Sequence, residues 1–480
     1  MKKTMIAACA AVSASLAFGF PGDDGEGMLE LHECPLLPKE TQAEKDARMK
    51  WWADARFGMF IHFGLYASPA RHEWVANLEA IGPQEYQDRY MKRFNPDKFD
   101  AKRWVADAKK AGMKYIVLTT KHHEGFCLWD TKTTDFKISK TDFKRDLVKE
   151  YVDACREAGI KVGFYYSIID WHHPKFRLDR FNPLCKQRGE DWEKWAAEEN
   201  AKSRDNGDMV VYRKYMMDQV TELLTEYGKI DILFFDFTHP SYHEQGLNGR
   251  EEYHSEELLA LVRKLQPQII VNDRLALTDV IGGWDMKTPE QIVVPKCPTF
   301  NGEEIYWETC QTFSGSWGYH RDQDTWKTSR QLLVQLIDGV SKKGNLLLNV
   351  GPTARGEFDY RAQALLGEMG EWMDQNGRSI YGCTAAPEEL RKQCPEGCKM
   401  TYNPEKNILY LHIFEWPLKV LPITFSDKVE YAQLLHDASE VEIKQPLHVS
   451  GDVRKDVPAS LMLPIKKPHT EIPVVEMFLK

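Results

Sequence analysis

At 480 residues the chain is about three average domains long, a length that fits either several domains or one α/β barrel with an appendage. With 42% hydrophobic residues, 14 Trp, 19 Tyr and 22 Phe it has the makings of a large core, which excludes a disordered chain, a collagen-like fibre and a coiled coil. A net charge of −9 makes nucleic acid and anionic membrane surfaces poor partners.

The start, Met1-Lys-Lys-Thr followed by a run of apolar and small residues from Met5 to Ala17, has the form of a secretory signal peptide. Cleavage after Gly19 would place Ala17 and Gly19 at the −3 and −1 positions, so residues 1–19 read as a removable leader. The run is too short to span a bilayer, and no later stretch approaches that length. The expectation is a periplasmic or secreted protein without a membrane span. Ile6-Ala7-Ala8-Cys9 is only loosely like a lipoprotein box, because too few apolar residues precede Cys9. Asn-X-Ser/Thr sequons are absent, which favours a bacterial setting over a glycosylated one. Nine cysteines follow the leader, an odd number, and Cys394-Pro-Glu-Gly-Cys398 is read as a local disulfide.

From about Lys50 to Asn376 a short apolar run followed by an amphipathic helical stretch recurs. Strands are predicted at Phe57–Ile61, Tyr115–Thr119, Val162–Tyr166, Ile230–Phe235, Ile269–Val271, Ile305–Glu308 and Leu346–Val350. Helices are predicted at Lys102–Ala111, Asp146–Ala158, Val210–Tyr227, Ser255–Leu265, Ser329–Ser341 and Arg361–Asn376. Gly112, Gly159 and Gly228 stand where left-handed helix caps belong. Six or seven β-α units in series imply a parallel sheet with right-handed crossovers, most simply a closed (β/α)8-type TIM barrel. A doubly wound sheet is the rival, but no Gly-x-Gly-x-x-Gly follows the first strand. Beyond Tyr381 short alternating strands with no helices between them predict an antiparallel β-sandwich. The expected domains are 28–380 for the barrel and 381–480 for the sandwich.

Barrel enzymes build their chemistry at the C-terminal ends of the strands. Polar residues stand there in this sequence: His62, Lys121-His-His-Glu124, Tyr165-Tyr-Ser167, Trp171-His-His173, Asp236, Asn272-Asp-Arg274 and Glu308. Any one of them could be a satisfied packing residue, yet five successive strands so decorated would be a costly way to build an inert barrel. Asp236 ends the apolar run Ile230-Asp-Ile-Leu-Phe-Phe235, where a carboxylate without a task is an unexplained cost and a glycosidase nucleophile is well placed. A retaining glycosidase also needs a second carboxyl about 5 Å away. Asp285, Glu290, Glu303, Glu304 and Glu308 are the candidates, and spacing does not choose among them. Tryptophans 74, 129, 171, 284, 307 and 317 fall on or near the predicted rim, which suits stacking of sugar rings.

Arg56-Phe-Gly-Met-Phe-Ile-His-Phe-Gly64, Glu73-Trp74, Lys121-His-His-Glu-Gly-Phe126, Gly163-Phe-Tyr-Tyr-Ser167, Asn272-Asp-Arg274, Trp307-Glu-Thr-Cys310, Ser316-Trp-Gly-Tyr319 and Gly344-Asn-Leu-Leu-Leu-Asn-Val-Gly-Pro352 follow one another in register. From about Trp51 to Tyr381 this series resembles the α-L-fucosidase family of glycoside hydrolases, family 29. The resemblance implies that Asp236 is the nucleophile and that His62, Glu73, Trp74, His122, His123, Tyr165, Arg274 and Trp317 line the sugar pocket. The acid/base is the family's variable position, and Glu290 is carried over to it, with Glu308 second. The sequence departs from the family at Phe234-Phe-Asp-Phe237, where Trp-Phe-Asp-Gly is usual, at His62-Phe-Gly64, where His-Trp-Gly is usual, and at His122-His-Glu-Gly125, where His-His-Asp-Gly is usual. A bulky ring at 237 stands where Gly leaves space, so a related L-sugar such as L-galactose or L-glucose is an alternative to L-fucose.

The implied activity is that of an exported retaining exo-glycosidase releasing terminal α-L-fucosyl residues from oligosaccharides, with no cofactor and no metal. A metal-dependent hydrolase built on His122-His123, His172-His173 and Glu73 is one rival, although no His-x-His or His-Glu-x-x-His is present. A sugar-binding relative that has lost catalysis is another.

Overall fold

The computed structural model describes residues 28–203, 209–238, 248–447, 453 and 457–480; the leader call at 1–19 lies outside them. Seven parallel strands form one sheet: β1 (Phe57–Ile61), β2 (Tyr115–Lys121), β3 (Lys161–Ser167), β4 (Ile232–Asp236), β5 (Ile270–Val271), β6 (Glu308–Thr312) and β7 (Asn345–Val350). Their order across the sheet is β5-β4-β3-β2-β1-β7-β6. The two ends, β5 and β6, are joined by an eighth, irregular stave at residues 286–290. Met286 pairs in parallel with Asn272, Lys287 with Trp307, and Glu290 with Cys310. The Lys287 carbonyl accepts the Glu308 amide at 2.9 Å, and the Pro289 carbonyl accepts that of Cys310 at 3.2 Å. The barrel is thereby closed.

The strands are buried on both faces, which explains why they read as continuous apolar runs. Side chains alternate with period two between two clusters. Phe60, Val117, Tyr165, Phe234, Met286, Cys310 and Leu347 fill the interior. Met59, Ile116, Phe164, Leu233 and Leu348 face the surrounding helices. Helix ends follow local chemistry, with Asp100, Asp146 and Asp359 capping helices Ala101–Lys110, Leu147–Ala158 and Tyr360–Asn376. Gly112, Gly159 and Gly228 have φ of 91°, 71° and 69°, the left-handed geometry expected of them.

The sixth strand is displaced from its predicted place. It begins at Glu308 rather than ending there, because Trp307 is buried and donates its Nε1–H to the Lys342 carbonyl just before β7 starts. The apolar run Ile305-Tyr-Trp307 therefore leads into the barrel from below.

The C-terminal part has two antiparallel sheets. One contains Thr384–Ala385, Cys398–Asn403, Ile408–Ile413, Val474–Leu479 and Val429–Leu434 in that order; the other contains Val420–Ile423, Ala459–Met462 and Ile443–Lys444. Leu409, Leu411, Val475 and Met477 from the first meet Leu421, Ile423 and Leu461 from the second in one apolar layer, a sandwich core. The sandwich is fixed to the barrel helices by the Trp372 Nε1 bond to the Ile472 carbonyl (2.8 Å) and the Arg378–Glu476 pair (3.0 Å). Cys394 and Cys398 are free thiols, so the expected local disulfide is not formed. Among the described residues no helix is long and apolar enough to cross a membrane.

Candidate active site

Period-two alternation places the polar residues at the barrel mouth. His62, Asp236 and Asn349 each lie two residues beyond an interior apolar side chain, Phe60, Phe234 and Leu347, so they continue the interior rows upward. Asp236 ends β4, and its two oxygens are held separately. Oδ2 accepts the Tyr165 hydroxyl at 2.8 Å, and Oδ1 accepts Arg274 Nη1 at 2.8 Å. His123 Nε2 lies 3.9 Å from Oδ2.

The same Arg274 Nη1 contacts Glu290 Oε2 at 2.9 Å. Two carboxylates bound to one nitrogen have their nearest oxygens no farther apart than those two contacts combined. That separation suits a retaining glycosidase, whose carboxyls stand about 5–5.5 Å apart. Arg274 is itself fixed from the eighth stave, donating Nη2–H to the Thr288 carbonyl at 3.1 Å, while Asp273 accepts the Thr288 amide at 3.1 Å. Burial opposes the guanidinium charge, but Asp236 and Glu290 outweigh it and raise its pKa well above the ordinary value. Glu290 titrates above the usual carboxylate range because burial and then the Asp236 charge disfavour ionisation, against the pull of Arg274. A carboxyl whose proton affinity burial raises, sharing one cation with a second carboxyl, is the arrangement that acid catalysis requires.

Burial and hydrogen bonding keep His62 and His123 neutral. His62 Nδ1 meets Asn349 Oδ1 at 2.6 Å, and Asn349 Nδ2 donates to the Trp317 carbonyl at 2.7 Å, which fixes the amide orientation. Nδ1 of His62 therefore carries the proton, and Nε2 is an acceptor. His123 Nδ1 bonds Ser167 Oγ at 2.8 Å, whose proton goes to the Ile169 carbonyl, so its Nε2 is an acceptor too. Burial, then the neighbouring histidines, holds the pKa of His123 well below the ordinary value; burial and His122 do the same for His62. The rings of His62, His122, His123 and Trp317 form a chain, with centroids 5.6, 4.0 and 5.1 Å apart for His62–His122, His122–His123 and His62–Trp317. Trp74 packs on His123 at 5.3 Å. Glu73 is buried and accepts the Gly318 amide on Oε2 at 2.8 Å; its Oε1 accepts no hydrogen bond, although His72 Nδ1 lies 3.3 Å away. A buried acceptor with hydrogen-bonding capacity left, beside Trp74, is a place for a ligand hydroxyl.

The remaining candidates lie elsewhere. Glu308 belongs to the barrel floor, where it accepts a hydrogen bond from Tyr115, the first residue of β2. Gly58 makes room for that ring, since a Cβ there would come within 2.2 Å of it. Glu308 is fully buried with its carboxyl pushed up to about 8, but it is at the wrong end to reach a substrate. Asp285 bridges Arg48 (2.7 Å) and Arg263 (2.8 Å), which, despite burial, holds it at about 2 as a structural anion. Glu303 and Glu304 are exposed on a hairpin. Trp129 and Trp307 are core residues, donating to Glu222 and the Lys342 carbonyl, and Trp284 packs on Phe300 away from the mouth. Among the described residues no three metal-ligating side chains converge; His172 Nε2 is taken by Gln87 at 2.7 Å. Asn349 and Thr288 are site residues that the sequence does not single out, although Asn349 stands at a strand end inside a quoted motif.

The profile of the family described as Alpha-L-fucosidase matches residues 30–378. The chain belongs to the α-L-fucosidase family, glycoside hydrolase family 29. Plasma alpha-L-fucosidase of Rattus norvegicus is 28% identical over 426 residues, covering 82% of each chain. Alpha-L-fucosidase isoenzyme 1 from Paenibacillus thiaminolyticus superposes with a TM-score of 0.81 at 39% identity, over 91% of this chain and 99% of that one. A family 29 α-L-fucosidase from Bacteroides thetaiotaomicron, solved as a trapped covalent intermediate with 2-fluoro-fucosyl fluoride, superposes with a TM-score of 0.74 at 26% identity, over 95% of this chain and all of that one.

Proposed function

We propose that the chain is a retaining exo-α-L-fucosidase in which Asp236 is the nucleophile and Glu290 the acid/base. The observation that carries this is the single Arg274 nitrogen shared by both carboxylates. Asp236, with Tyr165 and Arg274 aligning its oxygens, attacks the anomeric carbon as Glu290 protonates the departing glycosidic oxygen. The fucosyl-Asp236 ester is then hydrolysed by water that Glu290, now ionised, deprotonates. The acceptor nitrogens of His62 and His123 and Oε1 of Glu73 accept hydrogen bonds from sugar hydroxyls, while Trp317 covers an apolar sugar face. The catalytic unit is residues 28–380 and the sandwich 381–480. The leader at 1–19 supports export to the periplasm or medium.

The test is the purified protein with 4-nitrophenyl α-L-fucoside, α-L-galactoside and β-D-galactoside, the fucose released from the first followed by NMR. Preferential turnover of the fucoside with the α-anomer appearing first is expected. First appearance of the β-anomer, or turnover of the galactosides alone, overturns the reading.

A further inference from the structure

Phe237, immediately after the nucleophile, has a φ of 81°, a left-handed conformation that strains a bulky residue. Its ring lies 5.0 Å from His123, 5.6 Å from Trp74 and 4.8 Å from Phe181. Trp74 and Phe181 are in turn 5.7 Å apart. Phe181, on the segment after β3, thus completes a triangle of three rings, and all three are partly exposed. The triangle is rigidly mounted. The Phe181 amide bonds Asp179 at 3.0 Å, its carbonyl accepts Asn77 Nδ2 at 2.6 Å, and Trp74 backs onto buried Trp171 at 5.2 Å. Arg180 places its guanidinium 4.8 Å from the Phe181 ring centre.

Strain accepted beside a nucleophile, in order to hold aromatic surface open at the mouth, asks for a ligand. Fucose itself is accounted for by the histidines, Glu73 and Arg274. What remains is the group that departs. We propose that Trp74, Phe181 and Phe237 form a stacking platform for the sugar that carries the fucose, a leaving-group subsite continuous with the catalytic pocket. The occupant is the apolar face of a neutral pyranose, with Arg180 a donor to its hydroxyls. This rests on the fucosidase reading above.

α-L-Fucosyl fluoride, which has no leaving-group sugar, separates the two. For Phe181→Ala, kcat/KM on a fucosylated disaccharide is expected to fall about tenfold, the loss of one aromatic contact, while the fluoride changes by less than about twofold. Phe181→Trp is expected to restore the disaccharide. Equal falls on both substrates, or an unchanged disaccharide rate, overturn the platform. A parallel measurement on the unaltered protein adds the defucosylated disaccharide to fluoride reactions: diversion of fucose onto it is expected, and hydrolysis alone counts against the subsite. If the unaltered protein turns over neither substrate, the fucosidase reading itself has failed.

Discussion

Glu290 and Glu308 stand on neighbouring staves of the barrel, and both are carboxyls pushed upward by burial, yet only one of them shares a cation with Asp236. Glu308 is sealed in the floor under Tyr115. Glu290 is at the mouth, 28% exposed to the cavity and bound to the cation that also holds Asp236. The contrast teaches that a displaced proton affinity is not a function. It becomes one when the group is reachable from the mouth and stands beside a second carboxyl that can do the complementary work.

Substitution of either mouth carboxyl should abolish chemistry and substitution of the floor carboxyl should alter only stability, and three variants test that division. The largest effect is expected of Asp236→Ala, with kcat on an aryl α-L-fucoside down by about 10⁴-fold, as for loss of a catalytic nucleophile or its partner. Added azide should restore turnover through the space left by the carboxylate, giving fucosyl azide. Glu290→Gln should lower kcat on fucosylated oligosaccharides by about 10²–10⁴-fold. Because Glu290 works protonated, activity of the unaltered enzyme should decline as pH rises through its elevated pKa, and this alkaline limb should vanish in the variant. Retention of the limb would assign the acid to another group.

Glu308→Gln should leave kcat within about twofold while changing the pH dependence of unfolding. A folded pKa of about 8 lies above the unfolded value of about 4.3, so the native state binds the extra proton. The stabilisation is complete below about pH 4.3 and is lost as pH rises through about 8, a slope amounting to roughly 5 kcal/mol that the amide should flatten in denaturant titrations. A large loss of kcat in this variant would break the comparison. The smallest effect is expected of Phe237→Gly, where relief of the left-handed strain and loss of ring packing oppose each other. The change in stability should stay within about 1 kcal/mol in urea titrations.

Much of the fold was legible because each strand is buried on both faces and so spells an apolar run, and because helices such as Leu147–Ala158 carry their period and caps locally. The eighth stave was not. Residues 285–290, Asp-Met-Lys-Thr-Pro-Glu, contain one apolar interior contact, Met286, and a proline, and they are held by backbone pairing to both neighbours rather than by any pattern of their own. Glu290 rides on that stave, which is why spacing could not separate it from Glu308, two residues before its bridge partner Cys310.

The sequence by itself determined the barrel, the following sandwich, the family and the mouth residues at strand ends, since period-two alternation is a local property and strand ends are where it meets polar residues. The tertiary structure decided which carboxyl joins Asp236, that the cysteines at 394 and 398 stay reduced, and that Phe237 adopts a left-handed backbone beside Trp74 and Phe181. Each of these depends on distances between segments far apart along the chain, and no local pattern encodes such distances.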